Sequence, residues 1–334
     1  MSMLTTMFER LTPPPDNGQL TFSAVPLPRQ EYHKLAKDAA GAPCLLLCVR
    51  DTAPRPAPIR LEHLSVEHNA HCTIHTTEGE TEGHFTILRC HDAPAPLHDL
   101  FLRFAAPLLH DLPEHPTPAD IHHVVSALVE LFRAAATPGT KTVRGLWAEL
   151  FLIAQADNPG VLVQAWHATP EDRYDFANGP KRIEVKSAGT RVRQHHFSLE
   201  QLTPPPGTRV VIASVFTERS AGGASIADLL DRITSMVDSA ALQAQAQRIT
   251  YLALGNTWRE AMTTRFDTEL ATASLRFVDA AAVPSITAPL PPGVTLLRFC
   301  SDLTAAPALS IDDLQGAGGL LAAARAKIAT RPIT

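Results

Sequence analysis

The chain has 334 residues, of which 45% are hydrophobic and 19% charged, enough for one large domain or two ordinary ones with packed cores. The net charge of −5 excludes a uniformly basic nucleic-acid coat protein. No run of about 18 apolar residues and no signal peptide is visible, so we expect a cytoplasmic protein without a membrane partner. The five cysteines include no C-x-x-C pair, which argues against a disulfide framework and predicts buried thiols.

The first 95 residues predict a β-rich N-terminal module. Residues 44–50 form a continuous apolar run typical of a buried strand, bounded by Gly41 and Asp51. The proline cluster at 54–58 interrupts regular structure, and residues 61–90 alternate as three antiparallel strands with one face exposed to solvent. A role for this module in recognising substrate or partner is suggested only by its place beside the second domain.

Histidines are concentrated in this module and leave two interpretations open. A zinc site could be built from closely spaced ligand-type side chains, namely His68, His71, Cys72 and His75. On a strand, however, His71 and His75 share one face while His68 lies on the other, so ligation would require a bend. The alternative is a set of solvent-facing strand histidines.

Residues 96–334 predict a second domain in which helices flank a mixed β-sheet. Apolar spacing and capping residues predict helices at 97–109, 119–136, 143–154, 226–245 and 311–328. Apolar runs predict strands at 161–166, around Asp175, through Glu184 and Lys186, in a separate short run ending at His196-Phe197, and at 209–216, 249–254, 275–278 and 295–299. A short helix is expected at 199–202. The order strand, helix, strand implies a crossover and hence a mixed sheet, so the fold class is α/β (α+β).

One stretch of this domain, residues 173–202, carries acids and a lysine at a suggestive spacing. Asp175 precedes a Gly-Pro turn, and Glu184 and Lys186 follow two apart in an apolar β-type run. Because side chains at i and i+2 share a face of a strand, Glu184 and Lys186 should lie side by side, with Val185 facing the other way. The stretch could hold a divalent metal, or Lys186 could simply pair with neighbouring acids on the wet face of an edge strand.

This pattern resembles the PD-(D/E)XK superfamily of restriction-endonuclease-like phosphodiesterases, whose signature is an Asp on one strand and Glu-x-Lys on the next. Tyr174 stands where the name of the signature has Pro. The sequence segments GLWAEL upstream, and EVKS and SLEQL downstream, resemble those of a group of bacterial PD-(D/E)XK family members associated with phage-defence loci. The resemblance spans most of the chain, is most specific between about residues 140 and 220, and implies a restriction-endonuclease-like core.

The resemblance also implies a chemistry for these residues. Asp175 and Glu184 would bind Mg²⁺ or Mn²⁺, with the carbonyl of Val185 as an extra oxygen ligand. Glu149, on the 143–154 helix, would be a further metal-binding carboxylate, and its alternative is a surface residue favoured by helix propensity. Lys186 would orient the attacking water or stabilise developing negative charge, and Gln201 would hydrogen-bond the water or the phosphate. Without a cation, the neighbouring carboxylates should have raised pKa values.

Local charge supports a nucleic-acid partner. Residues 173–219 contain eight Lys or Arg against four acids, a net +4 that leaves −9 for the remainder of the chain. Candidate phosphate contacts are the polar and basic residues after the Glu-x-Lys motif, namely Ser187, Arg191, Arg193, His195 and His196. The favoured function is a divalent-metal-dependent endonuclease whose substrate is DNA and which acts in bacterial anti-phage defence or restriction.

Two further functions stay open. The first is a catalytically silent nuclease-like subunit that holds nucleic acid or a partner without cutting, although degenerate relatives usually lose one of Asp175, Glu184 and Lys186, and this chain has all three. The second is a zinc-binding protein acting through the histidine-rich module. Other defence proteins are candidate partners, and a homo-oligomer is compatible with the sequence.

Overall fold

The computed structural model describes residues 3–16, 20–28, 30–49, 56–110, 112–167, 172–287 and 290–325. The chain divides into two compact units, Met1–Thr137 and Pro138–Thr334. The sequence placed a boundary near residue 95, which grouped the helices at 97–109 and 119–136 with the second domain, whereas by their contacts both belong to the first unit. Within the described residues, no helix is long and apolar enough to cross a membrane.

The first unit is a sheet covered by helices. Its helices are α1 (Met3–Glu9), α2 (Ala95–His110) and α3 (Pro118–Ala135), and its strands are β1 (Thr21–Leu27), β2 (Gln30–Asp38), β3 (Pro43–Cys48), β4 (Ile59–Arg60), β5 (Ser65–Thr76) and β6 (Gly79–Arg89). The strand order is β1-β2-β3-β6-β5-β4, and β1 also pairs in parallel with β5, so the sheet closes on itself. Phe22, Leu46 and Phe85 belong to the apolar cluster that the strands enclose.

The β-rich prediction for the N-terminal module is confirmed in kind, and the structure adds detail. Strands β1 and β2 were not predicted, because prolines and charged residues interrupt their apolar alternation. The three strands expected at 61–90 are two long ones, β5 and β6, preceded by the short β4. Position 50, the end of the predicted 44–50 strand, and positions 54–55 of the proline cluster lie outside the described residues.

The histidine-rich strand does not assemble the zinc ligands. His71 and His75 point toward Glu82 and Glu80 on the adjacent strand β6, at 3.6 and 3.7 Å, and Cys72 is buried. Asn69 has a φ of 47° where the pairing of β5 with β6 shifts register, which separates His68 from the others. Among the residues that the structure describes, no group of three or more His, Cys, Asp or Glu could hold a metal ion.

The second unit has a mixed sheet surrounded by helices. Its helices are α4 (Val143–Gln155), α5 (Pro159–Ala165), α6 (Leu199–Leu202), α7 (Ile226–Met236), α8 (Ala240–Leu254), α9 (Trp258–Thr263), α10 (Thr268–Ser274), a 3₁₀ turn (Ala280–Ala282), α11 (Ile311–Ala317) and α12 (Gly319–Ala323). Its strands are β7 (Phe176–Asn178), β8 (Lys181–Ala188), β9 (Gln194–Ser198), β10 (Arg209–Phe216), β11 (Arg219–Ser225), β12 (Arg265–Phe266), β13 (Arg276–Asp279) and β14 (Arg298–Asp302).

The central sheet of this unit has the strand order β13-β10-β8-β7. β8 and β10 are parallel, and the outer strands β7 and β13 are antiparallel to their neighbours, which confirms the predicted mixed sheet. β7 and β8 are joined by the two-residue turn Gly179-Pro180. Gly179 has a φ of 54°, in the left-handed region that glycine adopts without steric cost and that tight hairpin turns require. The turn was predicted, and it aligns β7 with β8.

Two predicted strands of the second unit are helices. Residues 161–166 belong largely to α5, because Asn158 caps its N-terminus by accepting the Val161 N–H at 3.3 Å and Pro159 occupies its first turn. Residues 249–254 are the last turns of α8, capped at Ser239, so the predicted 226–245 helix is two helices, α7 and α8. In both places a short apolar run fits a buried helix as well as a strand.

The C-terminal part of the chain differs from its prediction in length. The single helix expected at 311–328 is α11 followed by α12, divided at Gly318, while positions 326–328 lie outside the described residues. The predicted strand at 295–299 is β14, displaced toward the C-terminus. Of the five thiols expected to be buried, Cys44, Cys72 and Cys90 are buried, Cys48 is half-buried, and Cys300 is exposed.

Candidate functional site

The hairpin of β7 and β8 brings Asp175 beside the Glu-x-Lys motif. Phe176 pairs with Ile183, so the same register, continued by one residue, sets Asp175 opposite Glu184. The N–H of Val185 donates to Asp175 Oδ2 at 2.9 Å, which fixes the orientation of the carboxylate. Asp175 and Glu184, nine residues apart in sequence, therefore lie opposite each other because a two-residue turn folds their strands together.

Glu184, Lys186 and Gln201 form one hydrogen-bonded group. As the strand alternation predicted, Glu184 and Lys186 lie on one face of β8, and Lys186 Nζ is 2.7 Å from Glu184 Oε1. Gln201 joins both, because its Nε2 donates to Glu184 Oε1 at 2.8 Å and its Oε1 lies 3.3 Å from Lys186 Nζ. Gln201 is held by a capping box with Ser198 at the start of α6. The site thus includes the Gln that the resemblance indicated.

Glu149 lies inside the protein, not on its surface. It is 4% exposed on α4, a helix whose N-terminus is capped by Thr142. The indole Nε1 of Trp166 donates to Glu149 Oε2 at 2.7 Å, and Lys141 Nζ donates to both carboxylate oxygens at 2.6 Å. A buried carboxylate with this many donors is part of a polar network, which excludes the solvent-exposed alternative for Glu149.

Lys141 connects Glu149 to Asp175, and the sequence did not predict it. Its Nζ is 3.0 Å from Asp175 Oδ1 and 22% of the side chain is exposed. The N–H groups of Thr140 and Lys141 donate to the carbonyl of Ala253 at 3.0 and 3.3 Å, which ties this loop to the end of α8. One signal was available: a lysine directly before a helix N-terminus opposes the helix dipole, so it needs an acidic partner elsewhere.

Burial and the neighbouring acid raise the pKa values of both glutamates of this site, in the direction predicted for neighbouring carboxylates without a cation. Burial is the largest cause and the negative charge of Asp175 the second, and together they raise the pKa of Glu149 to about 8 and that of Glu184 to about 7. Burial alone would lower the pKa of Lys141, but the charges of Glu149 and Asp175 hold it above its usual range. The acids therefore stabilise a cation among them.

The donor set fits a hard divalent cation in kind. Asp175, Glu184 and Glu149 supply carboxylate oxygens, Val185 can add a carbonyl, and both Asp175 Oδ1 and Glu184 Oε1 are held by lysine ammonium groups at 3.0 and 2.7 Å. In this arrangement, no three acids of the described chain converge on one point. Asp175 and Glu184 would hold the ion, with the carbonyl of Val185 as a further ligand, whereas Glu149, also predicted as a ligand, does not meet them at one point in this arrangement.

The face of Lys186 opens into a cleft of about 800 Å³. Its floor includes Lys186 and Gln201, and its walls include Arg173, His196 and Arg298, which are all exposed. The lining holds three basic side chains, Arg173, Lys186 and Arg298, against the two acids Asp172 and Glu200, a net charge of +1, and through Lys186 it reaches the Glu-x-Lys motif. Of these wall residues, only His196 was among the predicted phosphate contacts.

The other predicted phosphate contacts occupy different environments. Arg193 and His195 are buried, and both bond to Ser214, the guanidinium of Arg193 to its carbonyl and Oγ at 3.1 and 2.8 Å. Burial, reinforced by the charge of Lys186, lowers the pKa of His195 to about 4. Arg191 is exposed and paired with Glu218, and alternation puts Ser187 on the face of β8 opposite Lys186. Arg193 and His195 therefore support the core of the sheet and do not face the solvent.

We predict that Arg193→Met lowers the free energy of unfolding by about 2 kcal/mol or more, because it removes buried hydrogen bonds to Ser214 and to the carbonyl of Ser274, and the stacking over Phe216. Arg191→Met removes the same charge from an exposed ion pair, so little change in stability is expected. Urea unfolding of both variants measures the difference. Equal stability would contradict the internal role of Arg193.

The fold and the site together define a protein class. An Asp before one strand and Glu-x-Lys on the next, on a mixed sheet flanked by helices, is the arrangement of the PD-(D/E)XK nuclease-like proteins. The chain belongs to the family described as "Putative PD-(D/E)XK family member, (DUF4420)", whose profile matches residues 4–304. No curated protein and no solved structure matched the chain. The match includes the first unit as well as the nuclease-like second unit.

Proposed function

We propose that this protein is a divalent-metal-dependent nuclease that hydrolyses phosphodiester bonds in DNA. The observation that carries the proposal is that Asp175, Glu184, Lys186 and Gln201 lie together, with Lys186 and Gln201 lining an open cleft. Family membership supports the reaction class.

Each residue has a definite task in this reaction. Lys186 presents its ammonium to the cleft and stabilises the negative charge that develops on the phosphate. Gln201 holds both Lys186 and Glu184 in place, and the Val185 N–H orients Asp175. A bound Mg²⁺ or Mn²⁺ would polarise the phosphate and lower the pKa of a water. Asp175 and Glu184 are partly or fully buried and held by hydrogen bonds, so their carboxylate oxygens are pre-organised for that ion.

The walls of the cleft support a polyanionic substrate. Arg173 and Arg298 are exposed at the cleft, and His196 lies beside them. We infer that these side chains contact the phosphates that flank the scissile bond, in place of Arg193 and His195. Leu296, 81% exposed at the same cleft, offers an apolar surface against which a base could pack. A defence role, with other defence proteins or a second copy as partner, follows from the resemblance of the chain and completes the proposal.

A silent nucleic-acid-binding subunit is the second candidate, and one observation favours it. Every carboxylate of the site is satisfied by donors of the protein itself, namely Lys141 for Glu149 and Asp175, and Lys186 with Gln201 for Glu184. Such a site is stable without a metal. A protein that only binds nucleic acid would retain the cleft. Its carboxylates would never have to exchange these lysine and glutamine donors for a metal ion.

The experiment is a cleavage assay with supercoiled, linear and single-stranded DNA and with RNA, in Mg²⁺, Mn²⁺ or EDTA. We expect metal-dependent cleavage by the wild-type protein and at least about a hundredfold less by Asp175→Asn, because the amide retains the bond from Val185 N–H but cannot ligate the ion equally well. Asp279→Asn, which alters an acid on β13 paired with Arg209, is the matched control. Cleavage in EDTA, or undiminished cleavage by Asp175→Asn, would overturn the proposal, and salt-sensitive binding without cleavage would favour the silent subunit.

A further inference from the structure

The geometry points to Lys141 as a built-in counter-ion of the site, a positioning residue whose ammonium stands in for the divalent cation between Glu149 and Asp175 and must leave Asp175 when the metal binds. The inference rests on the proposed function, because it concerns the same metal site. Neither the signature nor the family description includes this lysine, which precedes the motif by 34 residues.

Lys141 contacts carboxylate oxygens of both Glu149 and Asp175. Asp175 Oδ2 accepts the Val185 N–H, which orients the carboxylate, and its other oxygen, Oδ1, lies 3.0 Å from Lys141 Nζ. The same ammonium bonds to both oxygens of Glu149 at 2.6 Å. The single ammonium of Lys141 therefore lies between the two carboxylates that would flank a metal on this side of the site. A divalent ion bound to Asp175 would be repelled by an ammonium at that distance.

The positive charge of Lys141 also balances the negative charges of Glu149 and Asp175. Without Lys141, Glu149 would be a buried carboxylate with Trp166 as its neutral donor and Asp175 as a negative neighbour. Uncompensated burial of a charged carboxylate is strongly unfavourable, so a cation here stabilises the charged form of Glu149 in the metal-free protein. Lys186 cannot replace it, since its ammonium is engaged with Glu184 and Gln201. Lys141 thus stabilises the metal-free state and opposes the metal-bound one.

The loop that carries Lys141 lets the side chain exchange without a change in the backbone. Its N–H groups at 140 and 141 are fixed to Ala253, and Thr142 caps α4 by accepting the Gly145 N–H. The lysine side chain itself remains 22% exposed, so its flexible methylene chain can move the ammonium toward solvent while the backbone stays in place. Occupation of the site by metal or by Lys141 is then a local alternative between two cations.

The test is metal binding to full-length protein, measured by titration with Mn²⁺ and detection of free Mn²⁺ by electron paramagnetic resonance, together with thermal unfolding. Lys141→Met should bind Mn²⁺ about tenfold or more tightly than wild type, because the competing charge is gone. Its Tm without metal should fall by several degrees and recover more than the wild-type Tm does when Mn²⁺ is added. Lys141→Arg keeps the charge and should bind Mn²⁺ like wild type.

Lys181→Met is the charge-matched control. Lys181 lies on β8 near Glu184 but bonds to the carbonyls of Ala317 and Gly318, so its loss should leave Mn²⁺ affinity unchanged. Unchanged or weaker Mn²⁺ binding by Lys141→Met would overturn the inference and leave the nuclease proposal intact. If Asp175→Asn bound Mn²⁺ as tightly as wild type, the metal site itself would be wrong, and the proposed function would fail separately.

Discussion

Lys186→Met should lower the single-turnover rate of phosphodiester cleavage by about a hundredfold to a thousandfold, the usual effect of removing one electrostatic group that stabilises a transition state. The methionine keeps an apolar stem but loses the ammonium, which lies 5.0 Å from the centre of the Phe197 ring, and so has no charge to offer the phosphate. Glu184 retains its bond from Gln201, so we expect the protein to remain folded. The measurement is cleavage of labelled DNA with enzyme in excess over substrate, at saturating Mg²⁺.

The matched control for this prediction lies on the same strand. Lys181→Met removes an identical charge five residues earlier on β8, where the ammonium caps the carbonyls at the end of α11. Its cleavage rate should stay near that of wild type. An equal decrease in both variants would attribute the effect to the net charge of the strand. An undiminished rate for Lys186→Met would show that the reactive site lies elsewhere.

Gly139→Ala should lower the free energy of unfolding by about 1–3 kcal/mol, the cost of forcing an extra methyl group into a packed position. A Cβ at Gly139 would lie 2.5 Å from the carbonyl oxygen of Leu254 and 2.7 Å from that of Ala253, and both atoms belong to the backbone of α8. The loop would have to move away, breaking the bonds that hold residues 140 and 141 to Ala253. Urea unfolding measures the loss.

The same substitution should also disturb the site, because the loop positions Lys141. We expect tighter Mn²⁺ binding by Gly139→Ala as the ammonium leaves Asp175, in the same direction as for Lys141→Met. Gly222→Ala is the control, since a Cβ there would meet no atom within 4 Å. If both glycine variants were equally stable, the close approach of this loop to α8 would not be a constraint on the fold.

The site illustrates how a buried acidic cluster can be stable before any ion binds. Glu149 and Glu184 are buried, with 4% and 6% of their surfaces exposed, and each is paired with a lysine ammonium. Opposite charges at such distances offset the desolvation of both partners only when further donors satisfy the remaining lone pairs. Trp166 and Gln201 supply those donors here.

Local signals were sufficient for much of the second unit. The apolar stripe of α4, the Gly179-Pro180 turn and the continuous apolar run of β10 each depend on residues close in sequence, and each prediction is confirmed. The strand alternation likewise put Glu184 and Lys186 on one face. Short apolar runs were the weak point, because the segments at 161–166 and 249–254 are as compatible with buried helix as with strand.

What the sequence determined by itself is the Asp175, Glu184 and Lys186 set, since a hairpin and a two-residue period are local geometry. Only the tertiary structure decided that Arg193 and His195 are internal and that Arg173 and Arg298 line the cleft, because burial depends on strands and loops distant in the chain. It also decided the position of Lys141. That lysine is 34 residues from Asp175, and the two meet because α8 anchors one loop where the β7–β8 hairpin places the other.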